Sequence, residues 1–218
     1  MEFRRTLAIG VFGATATLML LAPATALADK GGNGDSHGRK TVNFSATATS
    51  GTESSGTHST NPNGTGCQFG GQCEVITTGN ANVTAGRYSF PATYSSDLYI
   101  DYSQVTFTNN LTLFCAPASG TVVITSTLES SDQIFKTEQG QVCGATTAGG
   151  PHSFNGRYQI TGGSGRFAGA SGSGTVSSTD DGMGTVTSSQ ESGTITYKGA
   201  KGGGEGGGGG EGGDGGDS

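Results

Sequence analysis

Asp101 is the carboxylate whose neighbours could make it a proton-transfer group, because in an extended strand its side chain shares a face with Tyr99 and Phe107. A carboxyl facing an apolar lumen resists ionisation, so its pKa rises and it can act as an acid or a base. The opposite orientation leaves Asp101 hydrated with the rings covered by neighbours, and the alternation is compatible with both. Other carboxylates are sparse: Asp97 lies nearby, and Glu129 precedes Asp132. Nucleophilic catalysis needs a base beside a serine or cysteine. His37, His58 and His152 sit in loop-like stretches without a recognisable triad context, and no G-x-S-x-G elbow occurs. The residues lean away from an enzyme without closing that option.

The four cysteines, Cys67, Cys73, Cys115 and Cys143, fit two disulfides in an oxidising compartment. Three connectivities are open. Cys67 with Cys73 and Cys115 with Cys143 is preferred, because the residues between the first two can fold back and the second pair brackets a hairpin-sized stretch. Loop-closure entropy makes these worth roughly 2.4 and 3.6 kcal/mol. Zinc is not expected, since paired C-x-x-C spacing and nearby histidines are missing. Asp180-Asp181-Gly182 reads as a hairpin turn with glycine supplying positive φ, in preference to a calcium loop. No metal or cofactor is expected.

The densest glycine pattern, NGRYQITGGSGRFAGASGSGT, begins at Asn155. Gly163-Ser164-Gly165-Arg166-Phe167-Ala168 formally satisfies the dinucleotide fingerprint, but such a loop must open a helix. Here Gly172, Gly174, Thr175 and Val176 follow instead. The run predicts a strand over residues 154–161, a tight turn over 162–165 and then a kinked strand. Gly162, Gly163 and Gly165 would form the turn, Phe167 would plug the space after it, and Gly169, Gly172 and Gly174 would allow sharp coiling at a barrel corner.

The elements that must hold these groups are strands. Residues 41–198 alternate apolar and polar positions with period two. Val42, Phe44, Ala46 and Ala48 share one face of a first strand, and further strands are predicted over 74–78, 82–90, 98–108, 121–129, 133–137, 154–161, 175–178, 185–188 and 194–197. The fold class is all-β, an antiparallel barrel of about eight strands, which also removes the exposed edges such short strands would leave. Inside it, Tyr99, Phe107, Phe154 and Tyr158 are the expected lumen contacts for a ligand.

The flanks read differently. Arg4 and Arg5 precede an uncharged apolar stretch from Leu7 to Leu21, and Ala26-Leu27-Ala28 matches a signal-peptidase site, so residues 1–28 are expected to be a signal cleaved after Ala28. No later stretch is long and apolar enough to span a membrane as a helix. Residues 29–40 read as a flexible leader, and 199–218 as a disordered, acidic Gly-rich tail. Without Glu2, Arg4 and Arg5 the chain keeps nine of its 11 cations and 16 of its 17 carboxylates, a net charge of −7 that argues against nucleic acid.

The run TGGSGRFAGASGSG resembles the GGTGxFxGAxG signature of the allene oxide cyclase and dirigent-like barrel superfamily, particularly its secreted bacterial members. Gly193-Thr194-Ile195-Thr196-Tyr197 is similar to the closing strand of those barrels, and residues 120–132 more loosely so. The resemblance implies an eight-stranded antiparallel barrel with a partly apolar lumen, often assembled as an oligomer. It carries over the turn glycines and Phe167; the plant cyclases' catalytic carboxylate has no counterpart that can be placed. The reading is therefore an exported barrel that binds a small apolar molecule or serves as an extracellular interaction module, with self-association expected. One alternative is an isomerase or cyclase acting on a hydrophobic molecule inside the barrel. Another is a structural protein displaying its tail at a surface.

Overall fold

Alternating side chains become nine antiparallel strands in the computed structural model, which describes residues 38–56, 71–108, 111–147 and 149–198. The strands are β1 (Arg39–Ser55), β2 (Gln72–Ala85), β3 (Tyr88–Asp101), β4 (Thr106–Thr108), β5 (Leu113–Ser126), β6 (Gln133–Ala145), β7 (His152–Ser164), β8 (Ser171–Asp180) and β9 (Thr185–Lys198). Their hydrogen-bonded order is β3-β2-β1-β9-β8-β7-β6-β5-β4. Pairing of β3 with β5 closes eight of them into a barrel, leaving β4 as a short addition on β5. Among the described residues the ring leaves no long unpaired edge.

One end of the barrel is filled. Phe167 is fully buried, with its ring centroid 5.6 Å from Phe90 and 5.2 Å from Tyr197, and Tyr88 stacks on Phe90. Burying a side chain of this size contributes about 1.5–3 kcal/mol. The segment carrying Phe167 is held across this end by Asp132, which accepts a 2.7 Å hydrogen bond from the Arg166 backbone N–H. The Arg166 guanidinium lies 3.7 Å from the centre of the Tyr88 ring. Gly165 and Gly169, with φ of +54° and +68°, turn the chain there.

Several expected boundaries move. Residues 82–90 are not one strand: at Gly86, φ +67°, the chain reverses between β2 and β3. Residues 98–108 are interrupted as well, because the Asp101 carboxylate accepts from the Ser103 N–H and stabilises a 3₁₀ turn at Tyr102–Gln104. Gly162 and Gly163 lie within β7, which runs on to Ser164, so the turn falls later than expected. Gly172 and Gly174 lie within β8 rather than at a corner. Residues 185–188 and 194–197 belong to the single strand β9, whose polar middle had masked the continuity. Arg39 and Lys40 pair with Lys198 and Tyr197, so β1 begins inside the expected leader.

Cys115 and Cys143 sit directly opposite each other on β5 and β6 and form a disulfide across a Cα separation of 4.1 Å. Cys73 is also disulfide-bonded; Cys67, its expected partner, lies outside the described residues. The expected signal (1–28), the rest of the leader and the tail (199–218) lie outside them too. Among the described residues no helix is long and apolar enough to cross a membrane.

Candidate functional site

The end of the barrel opposite Phe167 holds a cavity of about 700 Å³. Its walls are the inward residues of successive strands, where period-two alternation leaves one apolar side chain per two positions. Val75 comes from β2, Leu98 and Ile100 from β3, Phe114 and Val122 from β5, Val142 from β6, Phe154 from β7, Val176 from β8 and Val186 from β9. Thr77, Ser96 and Ser189 interrupt this lining with hydroxyls.

The floor is ionic. Glu138 and Glu191 line it, and beneath them Lys136, with its side chain wholly buried, places its ammonium 3.1 Å from Glu138 Oε1 and 2.6 Å from Glu191 Oε1. The same ammonium stands 5.1 Å from the centre of the Tyr158 ring. Desolvation alone would push the Lys136 ammonium down, but Glu191 and then Glu138 outweigh it and hold the group above its ordinary value. Glu191 is held above the usual carboxylate range by burial, which the pull of Lys136 does not cancel. One cation thus faces two carboxylates in a dry place. The second Glu191 oxygen, Oε2, and the hydroxyls of Tyr94 and Tyr158 are buried without a hydrogen-bond partner among the described residues.

Space for these groups comes from glycine. A Cβ at Gly174 or Gly193 would collide first with a cross-strand backbone carbonyl, that of Ser192 or Ser173, and also with the Tyr158 hydroxyl, and Gly174 lies directly across from both Tyr158 and Gly193. An aromatic ring laid over cross-strand glycines fills the width that missing side chains leave.

At the mouth, His152 Nδ1 lies 3.0 Å from Asp180 Oδ1. The Gly182 N–H also donates to that oxygen at 2.7 Å, and the His152 N–H does so at 3.3 Å, so the turn between β8 and β9 orients the imidazole. The hydrogen bond His152 donates to the Asp180 carboxylate raises the His152 pKa against the opposing effect of desolvation. Glu53, whose N–H donates to the Gly184 carbonyl beside the same turn, is raised to about 7 by burial and by the nearby Asp180 charge. Such a pair can relay a proton or bind a polar end of a ligand. No three His, Cys, Asp or Glu side chains among the described residues converge as metal ligands would.

Of the residues expected from sequence, Phe154 lines the cavity, and Tyr158 lies in the lumen beside Lys136, outside the cavity lining. Tyr99 does not face the lumen: Leu98 and Ile100 do, and the Tyr99 hydroxyl donates to Glu74 on the outer face at 2.9 Å. Phe107 belongs to β4 and is 40% exposed. Asp101 faces solvent, where hydrogen bonds from Ser103 and then Gln104 lower its pKa, the reverse of the shift a lumen acid needs. Sequence reasoning missed Lys136, Glu138, Glu191 and the His152–Asp180 pair. The spacing Ile134-x-Lys136-x-Glu138 was the available signal, since it sets both charges in phase with a fully buried isoleucine. No protein family matches the chain, and neither curated proteins nor solved structures offer a match.

Proposed function

We propose that the chain is an exported binding protein that shelters a small, mostly apolar molecule inside its barrel, on an architecture like that of the allene oxide cyclase and dirigent-like superfamily. The observation that carries this reading is the one-ended cavity of about 700 Å³ with valine, leucine, isoleucine and phenylalanine walls. Its size falls within the roughly 300–1,000 Å³ range of small-molecule sites. Export rests on the arginine pair, the apolar stretch and the Ala26-Leu27-Ala28 site.

A neutral fluorescent probe, N-phenyl-1-naphthylamine, titrated into the purified secreted protein tests the reading. Saturable one-to-one binding is expected, with loss in Val176→Phe, which fills the cavity from β8. Binding that never saturates, or that survives this substitution unchanged in a folded protein, contradicts it.

An isomerase or cyclase on the same barrel is the second reading. Asp101 cannot serve it from the solvent face. The His152–Asp180 pair at the cavity mouth is what favours it.

A further inference from the structure

We propose that the molecule this cavity takes is a cationic amphiphile: an apolar body bearing one protonated amine, with the amine delivered to Glu191. The inference rests on the reading of the barrel as a binding protein and adds the charge of the ligand to it.

Three observations carry it. The cavity is lined by Glu53, Glu138, Asp180 and Glu191, whereas the cations near it are Lys136 under the floor and His152 at the mouth. Field lines in such an acid-lined, low-dielectric cleft favour a positive guest and oppose a negative one. Second, the Glu191 side chain is 10% exposed, and while its Oε1 meets Lys136, its Oε2 is buried without a hydrogen-bond partner among the described residues. A turn of the Glu191 side chain toward the cavity it lines would present that oxygen to an ammonium, which can donate to it and supply the positive charge that one lysine between two carboxylates leaves short. Third, Tyr94 and Phe154 line the same space, and aromatic residues beside a cation attract it.

The remaining charged or titratable groups around Glu191 agree in sign. Lys136 is already committed to Glu138 and Glu191, and Tyr94 and Tyr158 are held in their neutral form by burial. Burial also holds the Glu191 carboxyl above its usual range, so a cation beside it would favour the ionised form, the displaced proton leaving to solvent. Apolar walls alone would rank ligands the other way. An alcohol of equal chain length sheds its hydration more easily than an ammonium, so a preference for the amine isolates the acidic floor.

The test compares decylamine, decan-1-ol and decanoate at pH 8, each displacing N-phenyl-1-naphthylamine from the full secreted protein. The amine should bind on the order of tenfold tighter than the alcohol, the difference between a charge-assisted and a neutral hydrogen bond, and decanoate weakest. Glu191→Gln should bring the amine to within about twofold of the alcohol while alcohol binding persists. Alcohol binding as tight as amine binding in the unaltered protein overturns the inference and leaves the binding function standing, whether or not the variant folds. Amine preference unchanged in folded Glu191→Gln also overturns it. Absence of binding by all three and by the probe removes the parent reading and this one together.

Discussion

Replacing Lys136 by methionine should destabilise the barrel by about 3–5 kcal/mol at pH 7, because it leaves buried charge without its partner. Methionine keeps most of the length of the lysine stem, so packing changes little and the effect is electrostatic. The lost ammonium stands 3.1 Å from Glu138 and 2.6 Å from Glu191, with its own side chain wholly out of water. Burial already holds Glu191 high in the presence of Lys136; without that cation its folded pKa rises further above the unfolded value of about 4.3. A carboxyl raised in the folded state is least costly below its unfolded pKa and weakens the fold as pH climbs through the folded one. The variant should therefore recover part of its deficit between pH 7 and pH 5. Urea unfolding followed by circular dichroism at both pH values, with disulfides intact, measures this in a chain that has no tryptophan. Glu191→Gln is the control. It removes the surplus negative charge while an amide oxygen still accepts from Lys136, so its stability should stay within about 1 kcal/mol of the unaltered protein. A deficit for Lys136→Met below about 1 kcal/mol, or one equal at both pH values, refutes the buried-charge argument. So does a Glu191→Gln deficit as large as that of Lys136→Met.

Gly174→Ala should cost at least about 1–3 kcal/mol by driving a methyl into the Ser192 backbone carbonyl and the Tyr158 hydroxyl, and Tyr158→Leu in the same chain should return only the share due to the hydroxyl; thermal melts of both read the coupling. Replacing Cys115 and Cys143 together by alanine should lower stability by roughly 2–4 kcal/mol yet keep the β spectrum, since backbone pairing already holds the two strands in register. Glu53, half-buried at the mouth, should titrate near pH 7 by NMR. Its raised pKa means that stability from this site is full below about pH 4.3 and is lost as pH rises through 7, and Glu53→Gln should flatten that slope.

The barrel was legible because alternation survives in nearly every strand: Phe44, Ala46 and Ala48 point inward, as do Phe154 and Tyr158. What alternation does not choose is which face is inside. In β3 both faces carry rings, so Tyr99 and Asp101 read as inward as readily as Ile100, and only the pairing of Ile100 with Ala118 across the β3–β5 closure turns it to the core. Phe107 was misplaced for a second reason: a short-range hydrogen bond from Ser103 to Asp101 ends the strand before it, and such local competition leaves no periodic trace. The polar floor was hidden because its members come from β6, β7 and β9 and are joined only when the sheet closes. The middle of β9 has Ser189, Glu191 and Gly193 where a strand usually shows its apolar face. These residues are inside because Glu191 meets Lys136 and Gly193 yields room to Tyr158.

Methyl NMR of the purified protein titrated with N-phenyl-1-naphthylamine would locate the ligand within the barrel. Saturable shifts should appear at Leu98, Ile100, Val142, Val176 and Val186, while Val83, Ile134 and Ile195, packed toward the filled end, stay in place. Shifts confined to the exposed Leu111 and Leu128, or spread evenly without saturation, would mean that the lumen is not where this protein binds.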